Sequence, residues 1–200
     1  MTLLEKLRTQ SAPLHEALHH HPLLAPLAEG SVTYAHYCSI IQMFDHYYRV
    51  MEARYKPELL PLVNDIPVGY WLQRDCDIHN ISKGNAHLPA PPKLSSIDDM
   101  LAYAYVKHGS MLGGLVISKL LAKTLGLQGG IDQYFFHGNN IKTGSEWKIF
   151  IDYLYKVEPH CNINTTADKV CEIFTYLHDV CTIYHRVYVD DHGTKTRELS

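Results

Sequence analysis

Apolar side chains recur every three or four residues along most of this chain, and no segment shows the strict alternation of a half-buried strand. Such spacing places the apolar residues on one face of a helix. The sequence therefore predicts an all-α protein, a single-domain helical bundle of about seven helices. The expected helices cover about residues 2–21, 31–55, 69–81, 98–125, 130–136, 146–157 and 165–189.

Capping residues and helix breakers set the expected boundaries. Pro13 interrupts the first helix, so a kink or a restart capped by Ser11 is expected there. Ser145 is expected to cap the helix at 146–157. We expect the domain to span residues 1–189 and residues 190–200 to form a frayed tail.

Composition excludes several classes of protein. The chain has 200 residues, enough for one sizeable core, and its net charge of −3 gives no reason to expect nucleic acid as a partner. No apolar run approaches the roughly 20 residues that cross a bilayer, and charges in "MTLLEKLRTQ" argue against a signal peptide. The 5 cysteines are an odd number and include no CxxC pair, so they suggest neither a disulfide framework nor a zinc finger. The cytoplasm is therefore expected, with no membrane partner.

Three glycines interrupt the longest predicted helix, within the segment "HGSMLGG": Gly109, Gly113 and Gly114. Each costs about 1 kcal/mol relative to alanine in a helix interior. Two interpretations remain open. The glycines permit close packing of another helix, or a flat rigid ligand lies against the backbone at Gly109 and Gly113, which share a face. Gly114 lies about 100° further round the helix from Gly113 and loosens the turn.

One of the 14 histidines is placed differently from the others. His15 follows Leu14 on the apolar side of the first helix, whereas His20 and His21 form a polar face. Arg8 precedes His15 by seven residues, so the two share a face with roughly 10 Å between them along the axis. This separation suits an iron at the centre of a porphyrin and an acidic group at its rim.

Three segments together resemble the bacterial biliverdin-forming heme oxygenases, over about residues 4–190. They are "LRTQSAPLHEALHHHPLLAPL", "YVKHGSMLGGLVISKLLAKTLG" and "FFHGNNIKTGSEWKIF". The resemblance implies a heme oxygenase-like bundle in which heme is both substrate and cofactor. It further implies oxidative opening of heme to biliverdin, with release of ferrous iron and carbon monoxide. Oxygen and an external electron donor, such as a ferredoxin- or flavodoxin-type reductase system, are the implied partners.

The resemblance also assigns roles to residues. His15 becomes the axial ligand to the heme iron, and 109–114 belong to the distal helix. Gly109, Ser110 and Gly113 are then the residues beside the reacting edge, and Gly114 contacts the cofactor. Many heme oxygenases have an aspartate where this chain has Ser110. Proton delivery is therefore assigned to Ser110 or His108 acting through water.

Basic and aromatic residues are candidates for the heme propionates. Arg8 is the first choice, with Lys142, Lys148 and Arg186 behind it, and Tyr105 precedes the glycines on the same helix. The second ring nitrogen of His15 needs an acceptor, for which Glu16, a backbone carbonyl or water are the candidates.

Three other functions remain open on the sequence. A non-catalytic heme carrier or sensor would share His15 and the glycines. A di-iron oxidase needs two Glu-x-x-His units, and "EALH" at 16–19 is the only one found. A thiamin-degrading enzyme needs a cysteine nucleophile with an acidic partner, for which the scattered cysteines provide no specific signal.

Overall fold

The computed structural model of the protein describes residues 1–60, 65–138 and 140–193. Within those ranges it contains seven α-helices and no strand, so the predicted all-α class is confirmed. The helices are α1 (Leu3–His19), α2 (Ala25–Glu29), α3 (Tyr34–Glu52), α4 (Val68–His79), α5 (Ile97–Thr124), α6 (Thr143–Val157) and α7 (Ile163–Gly193). Short 3-10 turns lie at Pro57–Leu59, Asn140–Lys142 and Glu158–His160.

The first half of α5 passes through the centre of the bundle. Every residue from Asp99 to His108 is buried, which means that this stretch is covered on all sides. Helix α7 packs along α5, α1 and α3, and α6 packs against α5 and α1. None of the described helices has both the length and the apolar content needed to cross a bilayer.

Helices α1 and α7 run in the same direction. Gln10 donates to Asp168 over 2.6 Å, and His21 lies 3.1 Å from Thr182 at the other end of α1. Helix α3 runs the opposite way, because the contacts of its two ends with α7 are reversed. Tyr47 packs on Tyr176 and His36 stacks on Tyr188, with ring centroids 5.9 and 4.4 Å apart.

Helix α1 differs from the expectation at its start and at Pro13. Thr2 caps it in a capping box with Glu5, and the helix continues through Pro13 without a restart. Ser11 is therefore no cap: it lies inside the helix, buried, and its hydroxyl donates to the carbonyl of Leu7 at 2.7 Å.

Three further boundary predictions were wrong. Ser145 lies inside α6 and donates to the carbonyl of Lys142, and the helix begins at Thr143. No helix forms at 130–136, where the chain makes turns and an isolated bridge between Gly129 and Gln133. The expected tail is helical as far as Gly193, because α7 continues past 189. Residues 194–200 lie outside the described residues.

The carboxylate of Asp75 explains why residues 130–136 do not form a helix. Asp75 is fully buried and accepts hydrogen bonds from the backbone N–H groups of Tyr134 and Phe135, at 2.6 and 3.0 Å. Gln133 donates its side-chain amide to the carbonyls of Ser118 and Leu127. These bonds hold the segment against α4 and α5 in place of helical hydrogen bonds.

Candidate functional site

Helix α1 contacts α5 near Tyr105, and the residue that follows α2 contacts the far end of α5. We call the stretch between these two contacts the gap between α1 and α5. Near their starts, Tyr105 of α5 interacts with Ser11 and Arg8 of α1. At the far end of α5, Gly30 lies against Thr124, whose methyl group would be 3.5 Å from a β-carbon at position 30. Since Gly30 follows α1 and α2 along the chain, α1 and α5 run in the same direction on the two sides of the gap.

The face of α5 that borders the gap carries two glycines among exposed apolar side chains. Counting about 100° per residue from Tyr105, the residues Gly109, Gly113 and Val116 lie within about 80° of it. Gly113 is exposed, and no described atom lies within 4 Å of a β-carbon built on it. Val116 is 63% exposed. The Trp147 ring of α6 lies 3.8 Å from a β-carbon built on Gly109 and borders the strip on one side.

The third glycine serves a different purpose. Gly114 is buried on the side of α5 opposite Tyr105, and a β-carbon there would lie 2.9 Å from the carbonyl oxygen of Phe136. The packing interpretation therefore applies to Gly114, whose place against Phe136 is not that of a cofactor contact. The ligand interpretation stays a prediction for Gly109 and Gly113, which lie on a different face.

His15 lies one turn after Ser11 on the side of α1 that meets α5. The residue is exposed, and its ring packs edge-on against Phe174 of α7 and against His19, with centroids 5.8 and 4.7 Å away. Partial burial, with a smaller contribution from His19, lowers the pKa of His15. The imidazole is therefore neutral near pH 7, the form that coordinates a metal. Glu16 Oε1 lies 2.8 Å from Nε2 of His20.

Arg8 is the one candidate for the propionates that the structure brings to Tyr105. Burial raises the pKa of Tyr105, while the positive charge of Arg8 and a hydrogen bond with Ser11 act in the opposite direction. Lys142 is exposed at the start of α6 and Lys148 is exposed next to Trp147. Arg186 lies on α7 about 18 Å beyond the position that packs on His15, so it is remote from that imidazole.

Ser110 is held by two hydrogen bonds beside the glycines. Its hydroxyl donates to the carbonyl of Lys107 at 2.8 Å. The Tyr48 hydroxyl of α3 lies 3.1 Å from Ser110 Oγ, and because the serine proton is already used, Tyr48 is the donor. Burial raises the pKa of Tyr48, so this phenol stays protonated.

His108 is buried, with its ring stacked on Phe150 at 4.6 Å and only 7° from parallel. Burial, aided by the charge of Lys107, lowers its pKa to about 4. The residue is therefore neutral at physiological pH, and it is packed into the bundle rather than exposed in the gap.

The sequence interpretation missed several residues of this region: Trp147 beside Gly109, Phe174 and His19 beside His15, and Tyr48 beside Ser110. Trp147 had a detectable signal, since it stands in a segment that resembles the heme oxygenases and tryptophan is rare in this chain. Tyr48 lies 62 residues from Ser110 in the sequence, so no local pattern links the two. No group of three or more histidine, cysteine, aspartate or glutamate side chains could hold a metal ion among the described residues. The di-iron interpretation therefore has no site there.

Solved structures of similar fold exist, although no family model and no curated protein matches this sequence. A heme oxygenase from Leptospira interrogans superposes with a TM-score of 0.72 at 18% identity, covering 91% of this chain and 99% of that one. Heme oxygenase-1 from the cyanobacterium Synechocystis sp. PCC6803, in complex with heme, gives a TM-score of 0.69 at 14% identity over the whole of both chains. The chain has the heme oxygenase fold. Its structural neighbours are bacterial heme oxygenases, as the resemblance implied.

At identities this low, the heme oxygenase fold is what the comparison establishes. Evidence about function therefore has to come from the residues that border the gap between α1 and α5.

Proposed function

We propose that this protein binds heme in the gap between α1 and α5 and opens it oxidatively to biliverdin, ferrous iron and carbon monoxide. Oxygen and an external electron donor are the co-reactants. The observation that carries the proposal is the pairing of a neutral imidazole, His15, on one helix with two positions that have no side chain, Gly109 and Gly113, on the other. The heme oxygenase fold supports it, and the Synechocystis neighbour is a heme complex.

The residues present fit a heme group. A flat macrocycle needs a space without projecting side chains, and none of the described atoms would contact a β-carbon at Gly113. It also needs apolar and aromatic surroundings that exclude water. Leu112 and Val116 of α5 are exposed apolar side chains, and Trp147 borders Gly109.

We assign iron ligation to His15 and propionate binding to Arg8. Burial lowers the pKa of His15, which leaves an imidazole nitrogen free of a proton near neutral pH. Arg8 is exposed two turns earlier, about 10 Å away along the axis, where its guanidinium would pair with a carboxylate at the edge of the ring. Tyr105 lies beside Arg8 and offers a hydroxyl to the same edge.

On α5, the absence of side chains at Gly109 and Gly113 leaves room for the ring, and the Ser110 hydroxyl can donate a proton in a hydrogen bond. Heme, when bound, supplies the redox chemistry, since its own ring is oxidised. The Ser110 proton is held on the carbonyl of Lys107 while Oγ accepts from Tyr48. Rotation of this O–H away from the carbonyl would release a donor toward the gap or toward a water in it. Tyr48 would continue to donate to Oγ, so the serine oxygen would remain hydrogen-bonded throughout.

The test is to load the protein with hemin, add a reductase system and oxygen, and follow the spectrum and the gas phase. We expect the Soret band to disappear, with bile pigment, ferrous iron and carbon monoxide as products. A protein that binds hemin and cycles between ferric and oxygenated forms without releasing carbon monoxide would be a carrier or sensor. Failure to bind hemin would contradict both functions.

A further inference from the structure

Two polar contacts join α3 to α5 directly beside Gly109. On α3, Tyr48 and Glu52 are one turn apart and share a face. On α5, the partner of Tyr48 is Ser110 and the partner of Glu52 is Lys107, three residues earlier. The contacts are matched in antiparallel order. Together they form a ladder of two rungs, Tyr48–Ser110 and Glu52–Lys107.

The second rung is an unusual one, because Lys107 is a fully buried lysine. Its side chain is 0% exposed, and its ammonium nitrogen lies 3.0 Å from a carboxylate oxygen of Glu52 and 2.7 Å from Asp65. Tyr103 donates to the same Glu52 carboxylate at 2.6 Å. The ring of Tyr55 lies 5.0 Å from the ammonium.

Stability alone does not account for a lysine buried in this way. The ammonium is removed from water while the Glu52 and Asp65 side chains stay 29% and 44% exposed, and its desolvation costs about as much free energy as the attraction to the carboxylates returns. What the ion pairs do enforce is geometry, because a buried ammonium must keep its carboxylate partners. A one-turn slip of α5 along α3 would separate Lys107 from Glu52 and break one of its two ion pairs.

Lys107 is also the residue that holds the Ser110 hydroxyl. The carbonyl of Lys107 accepts the serine proton at 2.8 Å, while its side chain is tied to α3. The position of Ser110 against Tyr48 is thus set by the residue that fixes the register of the two helices.

We infer that Lys107 is a positioning residue: its ion pairs with Glu52 and Asp65 hold α5 in register with α3 and so keep Ser110 hydrogen-bonded to Tyr48 at the edge of the gap. The effect on ring opening rests on the proposed function. The effect on the ladder does not, because the ladder is a property of the protein without heme.

The first test uses the protein without heme and a double-mutant cycle. Ser110→Ala removes the Tyr48 contact, and we expect it to change the unfolding equilibrium constant about fivefold in the native background. In a Lys107→Met background the Tyr48 contact is already broken and only the hydrogen bond to the backbone carbonyl of residue 107 is left to lose, so Ser110→Ala should have a clearly smaller effect. Lys119→Met, an exposed lysine on the same helix, serves as the control, and Ser110→Ala should keep its full effect in it. Equal effects of Ser110→Ala in all three backgrounds would overturn the inference.

The second test uses the hemin-loaded protein. Lys107→Met should bind hemin with an unchanged stoichiometry but oxidise it roughly tenfold more slowly, because misplacement by about 1 Å is enough for such a loss. Lys107→Arg preserves the charge and should recover most of the rate, whereas Lys93→Met, at an exposed lysine in the loop before α5, should match the wild type. Loss of hemin binding in Lys107→Met, or an oxidation rate equal to that of Lys93→Met, would count against positioning.

The two tests separate the two possible failures. A wild-type protein that binds no hemin would defeat the proposed function, while the double-mutant cycle would still decide whether Lys107 positions Ser110. If Lys107→Met does not fold, the cycle is run with Glu52→Gln, which removes the carboxylate charge of the pair without removing side-chain volume. Coupling between positions 110 and 52 supports the inference, and its absence overturns it.

Discussion

Gly114 lies directly against the backbone of Phe136, so that a β-carbon at position 114 would be 2.9 Å from the Phe136 carbonyl oxygen. One residue earlier, a β-carbon at position 113 would have no described atom within 4 Å. Adjacent glycines in one helix therefore have opposite surroundings: Gly114 is required by packing, and Gly113 is not.

This contrast predicts opposite effects of alanine on stability. Gly114→Ala should destabilise the protein by about 1–3 kcal/mol, because the backbone of Phe136 must move and the strain outweighs the gain in helix propensity. Gly113→Ala should stabilise it by up to about 1 kcal/mol. Chemical denaturation of both variants without heme checks the pair. Equal destabilisation by the two variants would mean that Gly113 is also a packing residue.

A larger side chain at position 113 should affect heme rather than folding. We expect Gly113→Leu to fold with native helicity, since the side chain enters open space, but to bind hemin weakly or in the wrong orientation and to form little bile pigment. Circular dichroism, hemin titration and product analysis on one preparation provide the measurement. A variant with reduced stability but normal turnover per bound heme would contradict the position of the gap.

The long helices and the glycine segment could be predicted from the sequence because periodicity and capping are local properties. The different roles of Gly113 and Gly114 could not, since they depend on where residue 136 passes. Lys107 illustrates the same limit. A lysine is expected to face solvent, and only the positions of Glu52 and Asp65 reveal that this one is buried.

The prediction of a helix at 130–136 was wrong for a related reason. The side chain that binds the backbone of this segment, Asp75, lies about 60 residues away in the sequence. We predict that Asp75→Asn destabilises the protein by about 1–3 kcal/mol, because the carboxamide places an NH₂ donor against a backbone N–H donor. Thermal or chemical unfolding measures the loss. Asp77→Asn, on the exposed side of the same helix, is the matched control and should have little effect. Indistinguishable variants would show that the carboxylate does not hold the segment.

Removing the proposed ligand should change the heme spectrum in a residue-specific way. His15→Ala should shift the Soret band of the hemin complex and abolish turnover. The reason is that His15 is exposed and lies one turn after Ser11, on the side of α1 that meets α5. His20→Ala is the control, since His20 is exposed and bonds to Glu16. An unchanged Soret band in His15→Ala would contradict the assignment. A shift that appears only in the double variant with His19→Ala would instead identify His19, whose ring lies 4.7 Å away, as a ligand.

The buried histidines predict a loss of stability in mild acid. Burial lowers the pKa of both His21 and His108 from 6.5 to about 4, so between these values the unfolded chain binds protons that the folded protein does not. Their contribution is complete above pH 6.5 and is lost as the pH falls toward 4. Burial of Asp75 acts in the opposite sense, because it raises the pKa from 3.8 to about 6 and so makes the folded state the stronger binder of a proton.

With two histidines against one aspartate, the free energy of unfolding should decrease from pH 6.5 toward pH 4. His108→Phe isolates one contribution, since phenylalanine preserves the stack on Phe150 and cannot take up a proton. We expect the free energy of unfolding of this variant to depend less steeply on pH, with a slope smaller by up to about 1.4 kcal/mol per pH unit near pH 5. Urea unfolding at a series of pH values provides the slopes, with His20→Gln as a control on an exposed histidine. Parallel curves for His108→Phe and the wild type would mean that His108 is protonated in the folded protein and that its stacked position does not exclude the charge.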